Sequence, residues 1–134
     1  MNIEQLKRKI IDCRKCDRLV QFREKIALEK RKAYSNWEYW GKPVPGFGSE
    51  NAKIMVLGLA PAAHGGNRTG RVFTGDRSAD FLFRCLYHVG LSNQASSEHR
   101  NDGLELEGFI TTAVKCVPPG DKPTPKEKEN CEVF

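Results

Sequence analysis

Four cysteines carry the first chemical signal in this chain. Cys13 and Cys16 form a C-x-x-C pair, while Cys116 and Cys131 flank a loop loaded with proline and glycine. A lone C-x-x-C is either a redox dithiol or half of a metal site, and two further cysteines around a constrained loop favour a site of four thiolates. Zinc and iron–sulfur centres both accept four thiolates, and spacing does not choose between them. Buried free thiols are the plain alternative. The fifth cysteine, Cys85, sits at helical spacing among Phe81, Leu82, Leu86 and Val89 and is expected in the core.

The second signal is the stretch from Lys53 to Asp76. An apolar, β-branched run breaks into Ala60-Pro61-Ala62-Ala63-His64-Gly65-Gly66. A glycine-rich loop after a strand lets a ligand approach main-chain amides, and the carboxyl end of a strand is where an α/β protein holds its ligand. His64 could touch a phosphate or a base, or simply decorate the loop. Phe73 could stack on a ring or only pack. Asp76 is the carboxylate nearest such a cleft, although an Asp just before a helix also serves as its N-cap. The loop matches neither G-x-x-x-x-G-K-[ST] nor G-x-G-x-x-G, which argues against a nucleotide-binding domain.

Several elements must position these groups. Ile3, Leu6 and Ile10 fall on one face of a short helix that delivers Cys13 and Cys16. Leu19, Phe22, Ile26 and Leu28 give a second, weaker helical pattern, interleaved with Arg18, Arg23, Lys25, Lys30, Arg31 and Lys32. This basic run is either a solvated face or a contact for a nucleic-acid backbone. Tyr34, Trp37, Tyr39 and Trp40 follow, ending in a Gly/Pro-rich segment, 41–48, where no regular element is expected; together they read as a cover over a sheet edge. Ile54 to Leu59 reads as a strand buried on both faces. A helix from Ser78 to Val89, with Phe81, Leu82, Cys85, Leu86 and Val89 as its buried stripe, ends at Gly90. Ser92 to Gly108 reads as a long surface loop, and Phe109 to Val114 as a second strand running into Cys116. Strand, helix and strand in this order predict a parallel crossover. Thr124-Pro125-Lys126-Glu127 is a capping box with proline at N1, so a last helix starts at Pro125 and carries Cys131.

Length and composition set the outer bounds. At 134 residues and 39% apolar, the chain suits one α/β domain over 1–134, and its ending soon after the last helix begins predicts the amino-terminal part of a longer domain. No apolar run reaches a membrane span and the first residues are too polar for a signal peptide, so a cytoplasmic protein is expected. A net charge of +5 and a pI near 9.0 favour a polyanionic partner.

The C-x-x-C, the strand ending Gly58-Leu59-Ala60-Pro61-Ala62, the loop Gly70-Arg71-Val72-Phe73-Thr74-Gly75-Asp76 and the run Thr112-Ala113-Val114-Lys115-Cys116-Val117-Pro118-Pro119 together resemble the iron–sulfur uracil-DNA glycosylases. The Gly-Leu-Ala-Pro-Ala form and His64-Gly65-Gly66-Asn67-Arg68-Thr69-Gly70 resemble the type-5 branch. The resemblance implies a three-layer α/β/α fold with a central parallel sheet, truncated here. It also implies a structural 4Fe-4S cluster on Cys13, Cys16, Cys116 and Cys131. The activity implied is excision of uracil, and of other deaminated bases such as hypoxanthine, from double-stranded DNA by a monomeric enzyme.

By the same resemblance, the backbone amides after Ala60 and Pro61, with Ala62, line the uracil pocket. Phe73 stacks on the base and Asp76 positions water or stabilises the sugar cation. Two departures bear on this. Leu59, Ala60 and Ala62 offer no acidic or amide group where related enzymes carry one, which raises Asp76. Thr112 stands where related branches read uracil with asparagine, which implies relaxed selectivity; Asp121 is a further polar candidate or a turn residue. The family's later motif, a histidine followed two residues on by serine, is absent. His64, His88 and His99 do not replace it, so the 134-residue chain alone is expected to be inactive. The alternative reading is a non-catalytic zinc- or iron–sulfur-binding nucleic-acid module.

Overall fold

A computed structural model describes residues 1–134. The order is α1 (Ile3–Ile11), α2 (Asp17–Glu29), β1 (Phe47–Gly48), β2 (Met55–Gly58), α3 (Gly66–Thr69), α4 (Arg77–His88), β3 (Phe109–Thr112) and α5 (Pro125–Cys131), with 3-10 turns at Lys32–Tyr34 and Pro119–Asp121. The fold is α/β. β3 lies in the middle of a three-stranded mixed sheet, parallel to β2 in the register Met55 to Phe109 and Gly58 to Thr112, and antiparallel to β1. The expected parallel pair is therefore present. β1, two residues inside the segment read as irregular, makes the sheet mixed. No helix is long and apolar enough to cross a membrane.

Local signals set the helix ends. Asn2 and Gln5 form a capping box on α1, and Thr124 and Glu127 form the predicted one on α5. The Glu127 carboxylate then does more than cap. Arg18 of α2 donates to it twice, from Nε at 2.9 Å and Nη2 at 2.6 Å, and so ties α2 to α5. That clamp brings the cysteine before α2 towards the one in α5.

One core cluster is Val44, Val72, Phe83, Leu104, Leu106 and Ile110; a second is Leu19, Val114, Cys116 and Cys131. Three sequence expectations are corrected here. Strand β2 is an edge strand and is covered on one face only: Val56 packs against the core, while Met55, Leu57 and Leu59, at alternate positions on the other face, are exposed. Helix α4 buries Ala79 and Phe83, with Leu82 and Leu86 partly covered, while Phe81, Cys85 and Val89 face outward. The segment 92–108 is not a surface loop, since Leu104 and Leu106 enter the core, Ser97 is fully buried and Ser92 bridges Leu106.

The α4 correction is directly measurable. Phe83→Ala is expected to cost about 3–5 kcal/mol of unfolding free energy, whereas Phe81→Ala should stay within about 0.5 kcal/mol. Urea midpoints of the two variants would settle which face is buried; equal losses would contradict the placement.

Candidate active site and thiol cluster

Because β2 and β3 are parallel, their carboxyl ends open on the same side. A small cavity of about 80 Å³ lies there, lined by Ala60, Pro61, Ala62, Gly66, Val72, Phe73, Asp76, Ser78 and Thr112. Six of the sequence candidates thus converge on one space. A larger, mainly apolar groove of about 260 Å³ runs beside Ile3, Leu6, Ile10, Met55, Phe109 and Phe134, but none of the candidates lines it.

Two glycines make the geometry possible. A Cβ on Gly58 would lie 2.9 Å from the Phe73 ring and 3.5 Å from the Thr112 methyl, so the bare strand end seats that ring. A Cβ on Gly65 would collide with Oδ2 of Asp76. Phe73 itself sits at φ +45°, a left-handed conformation that costs a non-glycine residue of order 1–3 kcal/mol. The surrounding loop holds it there. Arg71, almost fully buried, donates from Nε to Thr74 Oγ1 (3.0 Å) and from Nη2 to Ser97 Oγ (2.9 Å) and Asp102 Oδ2 (2.9 Å). Burial opposes ionisation of Asp102. The Arg71 hydrogen bond and charge and the amides of Glu98 and Leu104 outweigh it and hold the carboxyl at about 2.

Asp76 serves both of its readings. Its Oδ1 accepts the Ala79 amide at 2.9 Å and caps α4, while Oδ2 lies against the glycine loop. Pro61 has no N–H, so the first amide of this loop able to donate belongs to Ala62, and it finds no acceptor within the protein. That corrects the expectation of a donor directly after Ala60. Thr112 is buried and donates its hydroxyl to the Val114 carbonyl at 2.7 Å. Its proton is therefore committed to the main chain.

His64 and Asp121 stand apart from the cavity. Asp121 is exposed on its 3-10 turn. His64 Nδ1 and Tyr39 Oη share a hydrogen bond at 2.8 Å, and the His64 ring stacks on Tyr34. Burial lowers its pKa, with Arg31 and Arg68 adding to the effect. The aromatic segment read as a sheet cover has this second task. Tyr34 and Trp37 also pack on the Arg68 guanidinium at 3.8 and 4.1 Å, and Arg68 in turn donates to the His64 and Gly75 carbonyls. Arg68 and Arg71 are not among the sequence candidates; the signal that marks them is position inside a glycine-rich loop, where a charged side chain needs a reason.

The four cysteines singled out by spacing line one enclosed cavity, together with Arg23, Lys115 and Asn130. Asn130 Nδ2 lies 3.4 Å from Cys16 Sγ, and Arg23 Nη1 lies 3.3 Å from Cys116 Sγ. Arg23 is thus engaged inside the protein, and Arg18, though exposed, is paired with Glu127, which removes both from the free basic face read in α2. Burial pushes the Cys116 thiol up to about 11 despite Arg23, and raises Cys131 as well. No three Cys, His, Asp or Glu side chains meet closely enough to hold a single metal ion. Four thiols on one cavity are the donor set of a thiolate-bound metal centre, a set that both zinc and iron–sulfur clusters accept.

The model of the Uracil DNA glycosylase superfamily matches residues 45–134. The chain belongs to this superfamily. It is 52% identical over 124 residues to a type-5 uracil-DNA glycosylase of Pyrobaculum aerophilum, covering 92% of this chain and 54% of that protein. The type-5 uracil-DNA glycosylase of Thermus thermophilus is 48% identical over 132 residues, 98% of this chain and 59% of the relative. A type-4 uracil-DNA glycosylase of Archaeoglobus fulgidus is 30% identical over 131 residues, 97% of this chain and 50% of the relative. The chain spans about half the length of the curated relatives it matches. Within the superfamily's span lie the cavity at the strand ends and two of the four cysteines, Cys116 and Cys131.

Proposed function

We propose that this chain carries the base pocket of a uracil-DNA glycosylase that hydrolyses the N-glycosidic bond of uracil in double-stranded DNA. The observation that supports it most is the convergence of Phe73, Asp76, Thr112 and the Ala62 loop on one cavity at the parallel strand ends. A base inside a duplex is inaccessible, so it must be flipped into such a pocket. There it stacks on Phe73, and the free Ala62 amide donates to a base carbonyl. As the bond from C1′ to the base nitrogen breaks, the electron pair leaves with the base and positive charge grows on the sugar. The Ala62 donor stabilises the departing base. Oδ2 of Asp76 stabilises the sugar cation and orients the water whose oxygen bonds to C1′, and its released proton neutralises the departed base.

Thr112 bears on selectivity. With its hydroxyl proton on Val114 and its methyl towards Gly58, it lacks the paired amide contacts that would read uracil alone. The pocket therefore admits further deaminated bases such as hypoxanthine. His64 and Asp121, outside the cavity, meet the DNA only at its rim. The enzyme acts as a cytoplasmic monomer.

Cys13, Cys16, Cys116 and Cys131 would hold a 4Fe-4S cluster. Bound there, it supplies a structural cross-link between segments about a hundred residues apart. No step of base excision passes through it.

The test uses protein expressed from its complete reading frame. Duplex oligonucleotides carrying uracil or hypoxanthine should each yield the free base and an abasic site, and unmodified duplex neither. Binding without release of uracil would leave only a non-catalytic nucleic-acid module. Iron and sulfide near four per chain would support the cluster, and zinc in their place would refute it.

A further inference from the structure

Three cations are buried in this protein outside any ion pair; one of them, Arg68, is covered by the faces of Tyr34 and Trp37, and the other two have no such aromatic cover. Arg23 is 2% exposed and Lys115 is 6% exposed. Neither takes part in any ion pair. Elsewhere the chain meets a buried charge in the ordinary way, since Arg71 faces Asp102 at 2.9 Å. Removing a cation from water costs several kcal/mol unless an opposite charge compensates it.

The partners of the two side chains are all neutral. Arg23 donates from Nε to the Gly41 carbonyl (3.1 Å) and from Nη1 to the Cys13 carbonyl (3.4 Å) and Cys116 Sγ (3.3 Å). Lys115 donates from Nζ to Thr111 Oγ1 (2.9 Å) and to the Thr112 carbonyl. These dipoles satisfy hydrogen bonds but carry no net negative charge. Both side chains line the cavity that Cys13, Cys16, Cys116 and Cys131 share. The cysteines are the only side chains on that cavity able to become anionic.

We propose that Arg23 and Lys115 are the counter-charges of the thiolate centre and set its reduction potential and hold on iron. This rests on the cluster reading above. Four thiolates around a core of charge +2 leave about −2 in all, which Arg23 and Lys115 balance from the buried side, while Lys15 on the same cavity is exposed to solvent. The two come from different parts of the chain, Arg23 from the middle of α2 and Lys115 from the segment after β3. An electron added to the centre increases its negative charge, so nearby cations favour the reduced form. Hydrogen bonds to sulfur act in the same direction, and Arg23 supplies one.

The experiment compares the parent protein with Arg23→Gln, Arg23→Lys and Lys115→Met. Iron and sulfide content, reduction potential by titration followed spectroscopically, and the rate of iron loss to a chelator are read for each. Removal of either charge should lower the potential and speed iron release on the order of tenfold. Arg23→Lys, which keeps the charge, should stay close to the parent. Should Arg23→Gln fail to fold, Lys115→Met carries the test, because its hydrogen bonds reach only Thr111 and Thr112. A cluster-loaded parent whose potential and release rate are unchanged in the charge-removing variants overturns the counter-charge assignment alone. So does an equal drop in Arg23→Lys and Arg23→Gln, since geometry rather than charge would then be at work. A parent free of iron and sulfide overturns the cluster reading and this inference together.

Discussion

Replacing Asp76 with asparagine lowers uracil excision by about 10²–10⁴-fold while leaving the unfolding midpoint close to that of the parent. The two halves of that statement come from the two oxygens. Oδ1 caps α4 through the Ala79 amide, and an asparagine carbonyl accepts the same bond. Oδ2 lies against the Gly65 loop beside the cavity, and in the proposed reaction its negative charge would face the developing sugar cation. An amide has no charge to offer there. Asp76→Ala loses both, so it combines the rate loss with about 1 kcal/mol of stability. Single-turnover excision on a uracil duplex, beside urea melts of both variants, separates the roles. An Asp76→Asn variant that excises at the parental rate would reduce Asp76 to a helix cap.

Arg71→Met is expected to cost about 3–5 kcal/mol, the range for removing one member of a buried ion pair. Four acceptors lose their shared donor at once, namely Thr74, Ser97, Asp102 and the Arg100 carbonyl. The loss also depends on pH in a definite direction. The Asp102 carboxyl is held near 2 in the folded protein, below the 3.8 of an unperturbed aspartate. A depressed folded value contributes stability that is complete above the unfolded value and disappears as pH falls through about 2. The contribution here is about 2 kcal/mol. The stability gap between parent and Arg71→Met should therefore narrow as the pH is taken from 6 down to 2. A gap that stays constant over that range would show that Asp102 does not owe its charge to Arg71. Because the same arginine anchors the loop bearing Phe73, excision should fall in this variant even where it remains folded.

Legibility of the chain in its sequence varies with how local the cause is. The capping box of α5, the break from Ile54–Leu59 into glycine, and the Gly90 stop all depend on neighbours within a few residues, and each is found where expected. The buried face of α4 differs from the expected one because the helix is apolar on two sides. Ala79, Phe83 and Leu86 make one stripe and Phe81, Cys85 and Val89 another, and periodicity cannot rank two stripes. Leu104 and Leu106 alternate with Glu105 and Glu107 too briefly to register as structure, yet both leucines reach the core. Arg23 reads as part of a solvated basic face because its sulfur partner lies 93 residues away. The candidate residues that line the cavity are legible in the sequence as types and order. Their division of labour, with one oxygen of Asp76 on the helix and the Thr112 proton on Val114, is not, because it depends on distances of tenths of an ångström.

The two glycines that face Phe73 and Asp76 also constrain how this pocket can vary through descent. Each is the negative image of a side chain further along the chain, Gly58 of Phe73 and Gly65 of Asp76. A methyl at 58 evicts the ring, and one at 65 evicts the carboxylate, though neither glycine performs chemistry itself. Substitution at these places is therefore a matter of couples rather than single sites. A lineage that trades Phe73 for a smaller residue frees position 58 to acquire a side chain, and one that dispenses with Asp76 relaxes position 65. Alignments of such lineages should record the exchange as linked changes at 58 with 73 and at 65 with 76.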